Sequence, residues 1–517
     1  MRKLLHLSET TLLIGVLLIA VALRLPVLSG SFWLDEAAQA LESARPLSQQ
    51  LQIKDDFQPP LLHLILHFSL YFGDSEWWLR TVGALIPAII TILFTYKLGQ
   101  KLFDEKTALL AGLLLVTSTF HIFYSQELRP YSLPAAWAAI SWFVLIVGWK
   151  EQRGYKKSEL LVVTFASVAG LYSSYLYPFL LLSQLIWLWT QNRQHIKQWL
   201  WTFAVTILLF LPWLPIFAGQ LSAGQVLQSS LPGWSSVVSP PQLKALSLVA
   251  AKFVYGSLDV RPTPIFVGLT GLILGTATLI TIKLMCKEKR QQLSPIIFWL
   301  CLPILSAWLI SFWIPILQAK RVLFSLPACY LFLAGLVFYS KQLRLLQKLS
   351  YVLVFLVLSI NLFSVYAYWS QPQLQRENWR DLITQIQQQF PDHSVALFSF
   401  SAPFAPWRWY ANADYPAIAT GELFLNEQTA EKTIQQLLEY DHILVFDYLR
   451  DLTDPDHLLD QYILEAGYQN SGYLDYSQIG FVRIYSRPAA VISYGYDLRT
   501  CLISRIPLQV NRFRQKK

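Results

Sequence analysis

Asp35 and Glu36 stand side by side a few residues beyond an apolar run that ends near Leu28. Charge so close to an apolar anchor is costly unless it is solvated or paired. The pair is therefore either a solvated loop feature or a place for proton transfer, since a carboxylate within reach of a hydroxyl can act as a general base. Glu127, in HIFYSQELRPYS, is confined to a short connection between two apolar runs. Its plain alternative is an ion pair with Arg129, while Asp55 and Asp56 read equally well as ordinary loop acids. Cations gather at the same edge: Arg24, Lys54, Arg80, Arg129, Lys320 and Arg321, with the neutral Gln58 among them. Arg and Lys can hold an anionic group and stabilise charge on a leaving group. Arg24 can also simply snorkel from the first apolar run. His63 and His67 share a helical face at a metal-binding spacing, but without a Glu between them or a third ligand they read as polar packing.

The elements that must carry these residues are membrane spans. The chain of 517 residues is 54% hydrophobic and only 14% charged, against about a quarter charged in soluble domains, and its mean hydropathy is +0.40. Nineteen Trp, 25 Tyr and 31 Phe suit aromatic belts at two membrane interfaces. Four scattered Cys (Cys286, Cys301, Cys329 and Cys501) show no paired spacing and read as free, buried thiols. The net charge of +9 is spread over loops, which fits membrane topology better than nucleic-acid binding. Apolar runs long enough to span fall near 12–29, 80–98, 107–123, 132–149, 159–175, 176–190, 199–217, 264–284, 294–314, 322–340 and 350–369. The fifth and sixth are parts of one long run interrupted at Pro178. The first reads as an uncleaved signal-anchor, lacking a small-residue cleavage site.

Orientation follows from Lys and Arg. With the N-terminus inside, inner loops carry 18 and short outer loops 8, so the positive-inside rule places the 30–79 and 218–263 loops outside. An odd number of spans puts the C-terminus outside as well. Lys320 and Arg321 run against that bias, which favours a role for them. The 218–263 segment holds turn signals and an amphipathic stretch at 241–254, either a lid or a plain connector.

After 369 the pattern changes. Helical periodicity at 377–390, 429–440 and 457–466 alternates with strand runs at 394–400, 442–447 and 480–485. This predicts a small α/β domain over 370–487 with a partly parallel sheet. No Gly-rich phosphate loop opens any of its helices. The tail 488–517 has a basic end suited to anionic lipid.

Several stretches together resemble a known family. Arg24 with Trp33-Leu34-Asp35-Glu36, then Gln58-Pro59-Pro60-Leu61, Phe72-Gly73-Asp74-Ser75-Glu76 ending in Arg80, and Ser125-Gln126-Glu127-Leu128-Arg129-Pro130-Tyr131 resemble the C-type membrane glycosyltransferases. The likeness is to bacterial relatives of protein O-mannosyltransferases and lipid A aminoarabinose transferases, over roughly residues 12–370. It implies a polytopic α-helical membrane protein of about eleven spans over 1–369 with a small extracytoplasmic C-terminal α/β domain, which we expect to serve acceptor recognition or support. It implies transfer of a sugar from a polyprenyl-phosphate donor to a protein, lipid or glycan acceptor on the outer face of the plasma (inner) membrane. Asp35 would be the base, Glu36 and Glu127 would orient substrates, and the cations would hold the donor phosphate. An inverting single displacement suits one base plus cations. Gln58 departs from the Lys-Pro of the aminoarabinose transferases, so that phosphate contact would pass to Lys54 or Arg321. No cofactor is expected and a divalent cation stays open, with no diagnostic ligand set. The alternatives are a transporter or lipid flippase, and a non-catalytic assembly subunit. Transporters favour internal repeats and ionisable groups at the bilayer midplane, whereas these groups lie at the outer edge.

Overall fold

A computed structural model describes residues 8–53, 57–151, 155–191, 196–230, 242–258, 263–285, 290–340, 344–399, 404–422, 424–488 and 509–511. Lys54, Asp55, Asp56, Cys286, Cys501 and most of the basic tail fall outside them. Over the described residues the chain divides into two compact units. The first comprises Met1–Ser29, Ser43–Ser222 and Ser236–Leu374; the second comprises Gly30–Glu42, Ala223–Ser235 and Gln375–Lys517.

The first unit is helical, and each of the eleven apolar runs holds a helix. Among the described residues, seven helices are long and apolar enough to cross a membrane. The other four (Glu9–Ala22, Glu105–Thr117, Lys157–Leu171 and Tyr177–Gln191) have only 13 to 15 residues. Two breaks explain part of this shortening. The run at 107–123 stops at Ser118, whose extended backbone and side-chain oxygen start a new helix over Thr119–Tyr124. The run through 159–190 turns at Tyr172–Leu176, and Pro178 falls in the first turn of the next helix, where its missing N–H costs nothing. The amphipathic stretch at 241–254 appears as Gln242–Tyr255. Cys329 is a partly buried free thiol, but Cys301 is exposed on its helix rather than buried.

In the second unit a six-stranded sheet runs in the order β2-β1-β3-β5-β4-β6. The strands are β1 (Ser394–Phe398), β2 (Ala417–Ala419), β3 (His442–Phe446), β4 (Gln469–Tyr476), β5 (Gly480–Ser486) and β6 (Gln509–Asn511). β1 pairs in parallel with both β2 and β3, and the remaining pairings are antiparallel. Apolar runs without alternation in β1 and β3 are what a sheet covered on both faces requires. Ala396, Phe398, Leu444 and Phe446 meet the Trp379–Gln389 helix on one face. Val395, Leu397, Ile443 and Val445 meet Ala430, Ile434, Leu459 and Ile463 from two helices on the other. The helices at 404–410 and the strands β2, β4 and β6 were not expected from the sequence.

Candidate functional site

The acidic pair does not lie on an extended segment. Leu34–Ala44 (LDEAAQALESA) is a helix with Asp35 and Glu36 in its first turn. The local reason is in the residues: Ala, Leu, Gln and Glu are strong helix formers, and first-turn acids complement the helix dipole. Glu36 Oε2 accepts a hydrogen bond from the Trp33 backbone N–H at 3.4 Å, the reach-back half of a capping box. Glu36 is fully buried and Asp35 partly so. The two carboxylates of this turn therefore differ: Glu36 is tied into the fold, and Asp35 is the more open.

Residues of the C-terminal domain surround this turn within the second unit. Arg376 Nε stands 4.0 Å from Glu36 Oε2, both side chains being buried. Glu377 accepts hydrogen bonds from Tyr448 Oη and Trp379 Nε1, each at 2.7 Å. Desolvation pushes the Glu377 carboxyl up to about 7, with the Asp35 charge adding to it while hydrogen bonding pulls the other way. The Tyr448 phenol is raised in turn, by burial and then by Glu377. The Phe32 N–H donates to Tyr410 Oη at 2.6 Å, and the Arg380 N–H to Ser31 Oγ at 3.0 Å. Sequence reasoning missed Glu377, Arg376 and Tyr448; the only signal was the charged Arg376-Glu377 pair just after the last apolar run.

In the first unit, Glu127 is buried in a connection that packing holds closely. Gln126 Nε2 donates to the Arg24 carbonyl at 2.5 Å and its Oε1 accepts from Tyr368 Oη at 3.0 Å. Leu128 packs so close to Gly83 that an added Cβ would come within 3.1 Å of it and force the leucine to shift by a few tenths of an ångström. Arg24 itself is fully buried, its guanidinium donating to the carbonyls of Ala20 and Val116 and bonded to His121 Nδ1 at 2.8 Å. These contacts make it a strut between helices. Arg80 is likewise buried and donates to the Leu28 carbonyl at 2.9 Å.

Arg129, Tyr131, Lys320 and Arg321 come together. Lys320 Nζ lies 5.5 Å from the centre of the Tyr131 ring, and the like charges of Arg129 and Arg321 oppose each other. Arg321 is held by the Ile316 carbonyl at 3.2 Å. A group of cations can hold an anion. Gln58 is buried elsewhere in this unit, its amide on His63 Nε2 at 2.9 Å, and His67 bonds the Ser43 carbonyl at 3.0 Å. Both histidines thus have protein partners. Among the described residues no group of three or more His, Cys, Asp or Glu is placed to hold a metal ion.

These features define a multispan membrane protein with an acid-bearing helix and a cationic cluster, attached in sequence to an α/β domain. Residues 57–216 match the family described as dolichyl-phosphate-mannose-protein mannosyltransferase. In structure the chain is similar to ArnT from Cupriavidus metallidurans bound to undecaprenyl phosphate, with a TM-score of 0.56 and 12% identity, covering 94% of this chain and 99% of that one. It is also similar to the archaeal oligosaccharyltransferase AglB from Archaeoglobus fulgidus in complex with an inhibitory peptide and a dolichol-phosphate. That likeness has a TM-score of 0.52 and 14% identity, and covers 92% of this chain and 74% of the other. No curated protein matches the chain in sequence. The chain has the fold of the C-type membrane glycosyltransferases, as its motifs imply.

Proposed function

We propose that this protein transfers a sugar from a polyprenyl-phosphate donor to an acceptor hydroxyl on the outer face of the plasma membrane. The observation that carries the reading is the mannosyltransferase-family match over 57–216 in a chain sharing its fold with ArnT bound to undecaprenyl phosphate. Asp35, the more open first-turn carboxylate, takes the acceptor proton as that oxygen attacks the anomeric carbon. The lipid phosphate leaves as an anion, so its side of the reaction needs cations more than a proton donor. Arg129, Lys320 and Arg321 supply that charge. Glu127 orients substrate from its buried connection, and Glu36 secures the turn that bears Asp35. Arg24 and Arg80 act through the helices they join. The N-terminus is cytoplasmic and the domain after 370 is extracytoplasmic.

The test is mass spectrometry of lipids and glycoconjugates from cells carrying the wild-type protein or Asp35→Asn, which keeps the shape and removes the charge. Loss of a general base lowers turnover by roughly 10²–10⁴-fold, so a glycan species should be present with wild type and nearly absent with the variant. Identical profiles would overturn the reading.

A further inference from the structure

We propose that Ser311 is a positioning residue for donor binding: its hydroxyl holds the two peptide units that in turn hold Arg321 in the cationic cluster. The inference rests on the reading of that cluster as the donor-phosphate site, while the contacts themselves stand on geometry. Ser311 directly follows the membrane-crossing helix that ends at Ile310. Pro315 keeps the helix from resuming, since the residue before a proline is pushed out of the helical region. The chain then runs without regular structure over 315–318, until Ala319 opens the short 3-10 segment. Backbone N–H groups in such a stretch have no helical carbonyl to bond, and a buried one left unpaired is costly.

One hydroxyl meets that need. Ser311 Oγ accepts the Leu317 N–H at 2.8 Å and the Ile316 N–H at 3.2 Å, and donates to the Ala307 carbonyl at 2.7 Å. A serine hydroxyl has one donor and two acceptor sites, so all three are in use. Ser311 and Leu317 are both buried, which keeps water from competing. The other edges of the same peptide units serve Arg321. Its Nη1 donates at 3.2 Å to the Ile316 carbonyl, which shares a peptide plane with the Leu317 N–H. More weakly, at 3.5 Å, it reaches the Pro315 carbonyl, which shares a plane with the Ile316 N–H. A peptide unit is planar, so fixing its N–H fixes the direction of its carbonyl. Ser311 and Arg321 thus grip two consecutive peptide units from opposite edges. Next to Arg321, Lys320 Nζ lies 5.5 Å from the centre of the Tyr131 ring. The described residues take hydrogen bonds from Nη1 alone, so Nε and Nη2 of the guanidinium fork stay available to a phosphate oxygen.

The experiment uses the purified full-length protein in detergent, with Ser311→Ala, Ser311→Thr, Arg321→Ala and the double variant that combines both alanines. Hydrogen–deuterium exchange of peptides covering 312–318 reads the connection directly. Binding of a polyprenyl phosphate, measured by native mass spectrometry, reads the site, and the matching polyprenol without its phosphate is the control. Ser311→Ala should speed exchange over 312–318 by roughly tenfold. It should weaken binding of the polyprenyl phosphate by about 3- to 10-fold, the scale of a lost hydrogen bond, and leave polyprenol binding unchanged. A merely structural role would weaken both lipids. Ser311→Thr keeps the hydroxyl and should bind like wild type. Added to Arg321→Ala, Ser311→Ala should cost nothing more, because the serine acts through the arginine. Should the alanine variant fail to fold, Ser311→Cys carries the same test, since a thiol accepts only weakly. Unchanged exchange, equal weakening of both lipids, or a further loss on top of Arg321→Ala would each overturn the proposal. If Arg321→Ala itself binds the polyprenyl phosphate like wild type, the phosphate reading falls and takes the positioning role with it. The exchange result then still shows whether Ser311 holds the connection, so the two failures are told apart.

Discussion

A carboxyl such as Glu377, pushed up to about 7, makes stability depend on pH in a direction opposite to that of most acids. An unperturbed Glu titrates near 4.3. Between the two values the folded chain holds a proton that the unfolded chain has released. The stability from this group is full below the unfolded value and is lost as pH rises through about 7. The charged or titratable neighbours named above, Asp35, Glu36, Arg376 and Tyr448, set the same environment for every variant. Glu377→Gln removes the titration, so its Tm relative to wild type should rise from pH 5 to pH 8, by at most about 3 kcal/mol of stability. Any fixed offset from the amide is independent of pH, so a difference that stays flat across that range would remove Glu377 as the titrating group. Arg24 gives a second residue-scale prediction. It donates to two helix carbonyls and bonds His121 while buried, so Arg24→Met should destabilise by about 1–3 kcal/mol through acceptors left unpaired. Thermal unfolding should show that loss, with donor KM little changed in the folded fraction. A large rise in donor KM at unaltered stability would return Arg24 to the phosphate-binding set.

At the scale of elements, the cationic cluster depends on a tight connection. Ala319–Ser325 forms a short 3-10 segment before the Leu326–Tyr339 helix, and the Ile316 carbonyl holds Arg321 beside Arg129 and Tyr131. If this cluster holds donor phosphate, Arg321→Ala loses a charge-assisted contact and apparent donor KM should rise about 10- to 100-fold, with acceptor KM unchanged. An unaltered donor KM would take Arg321 out of the site. Lys320 and Arg321 stood out as candidates from charge alone, because they contradict the topology bias. The helix bearing Asp35 was equally legible in composition, from DEAAQALESA with acids in the first turn, yet it reads as a loop when attention is on apolar periodicity. What no sequence could supply is Glu377, whose bonds to Tyr448 and Trp379 exist only through the folded domain. In the sheet, β1 and β3 stood out as apolar runs, whereas β4 (QNSGYLDY) is polar and half-exposed and so lacks that mark.

For the whole molecule, hydropathy marks a change of character where the apolar runs end near 369, and the first compact unit ends at Leu374. The finding that Gly30–Glu42 clusters with the C-terminal unit did not follow. A segment of 13 residues has too few positions to reveal its partner by pattern. This grouping bears on topology. The acids of the first turn and the C-terminal domain belong to one compact unit, so they must share one side of the membrane. The positive-inside count of 18 against 8 predicts that side to be the outer one. Single-cysteine labelling in intact cells tests it, with the four native cysteines replaced by serine so that the exposed Cys301 does not report. Glu439 is exposed in the C-terminal unit, and Lys157 is exposed at the start of a helix that follows a loop predicted to be inner. Glu439→Cys should react with a membrane-impermeant maleimide in intact cells, whereas Lys157→Cys should react only after permeabilisation. Protection of Glu439→Cys together with labelling of Lys157→Cys would invert the orientation. Sugar transfer would then have to be sought on the cytoplasmic face.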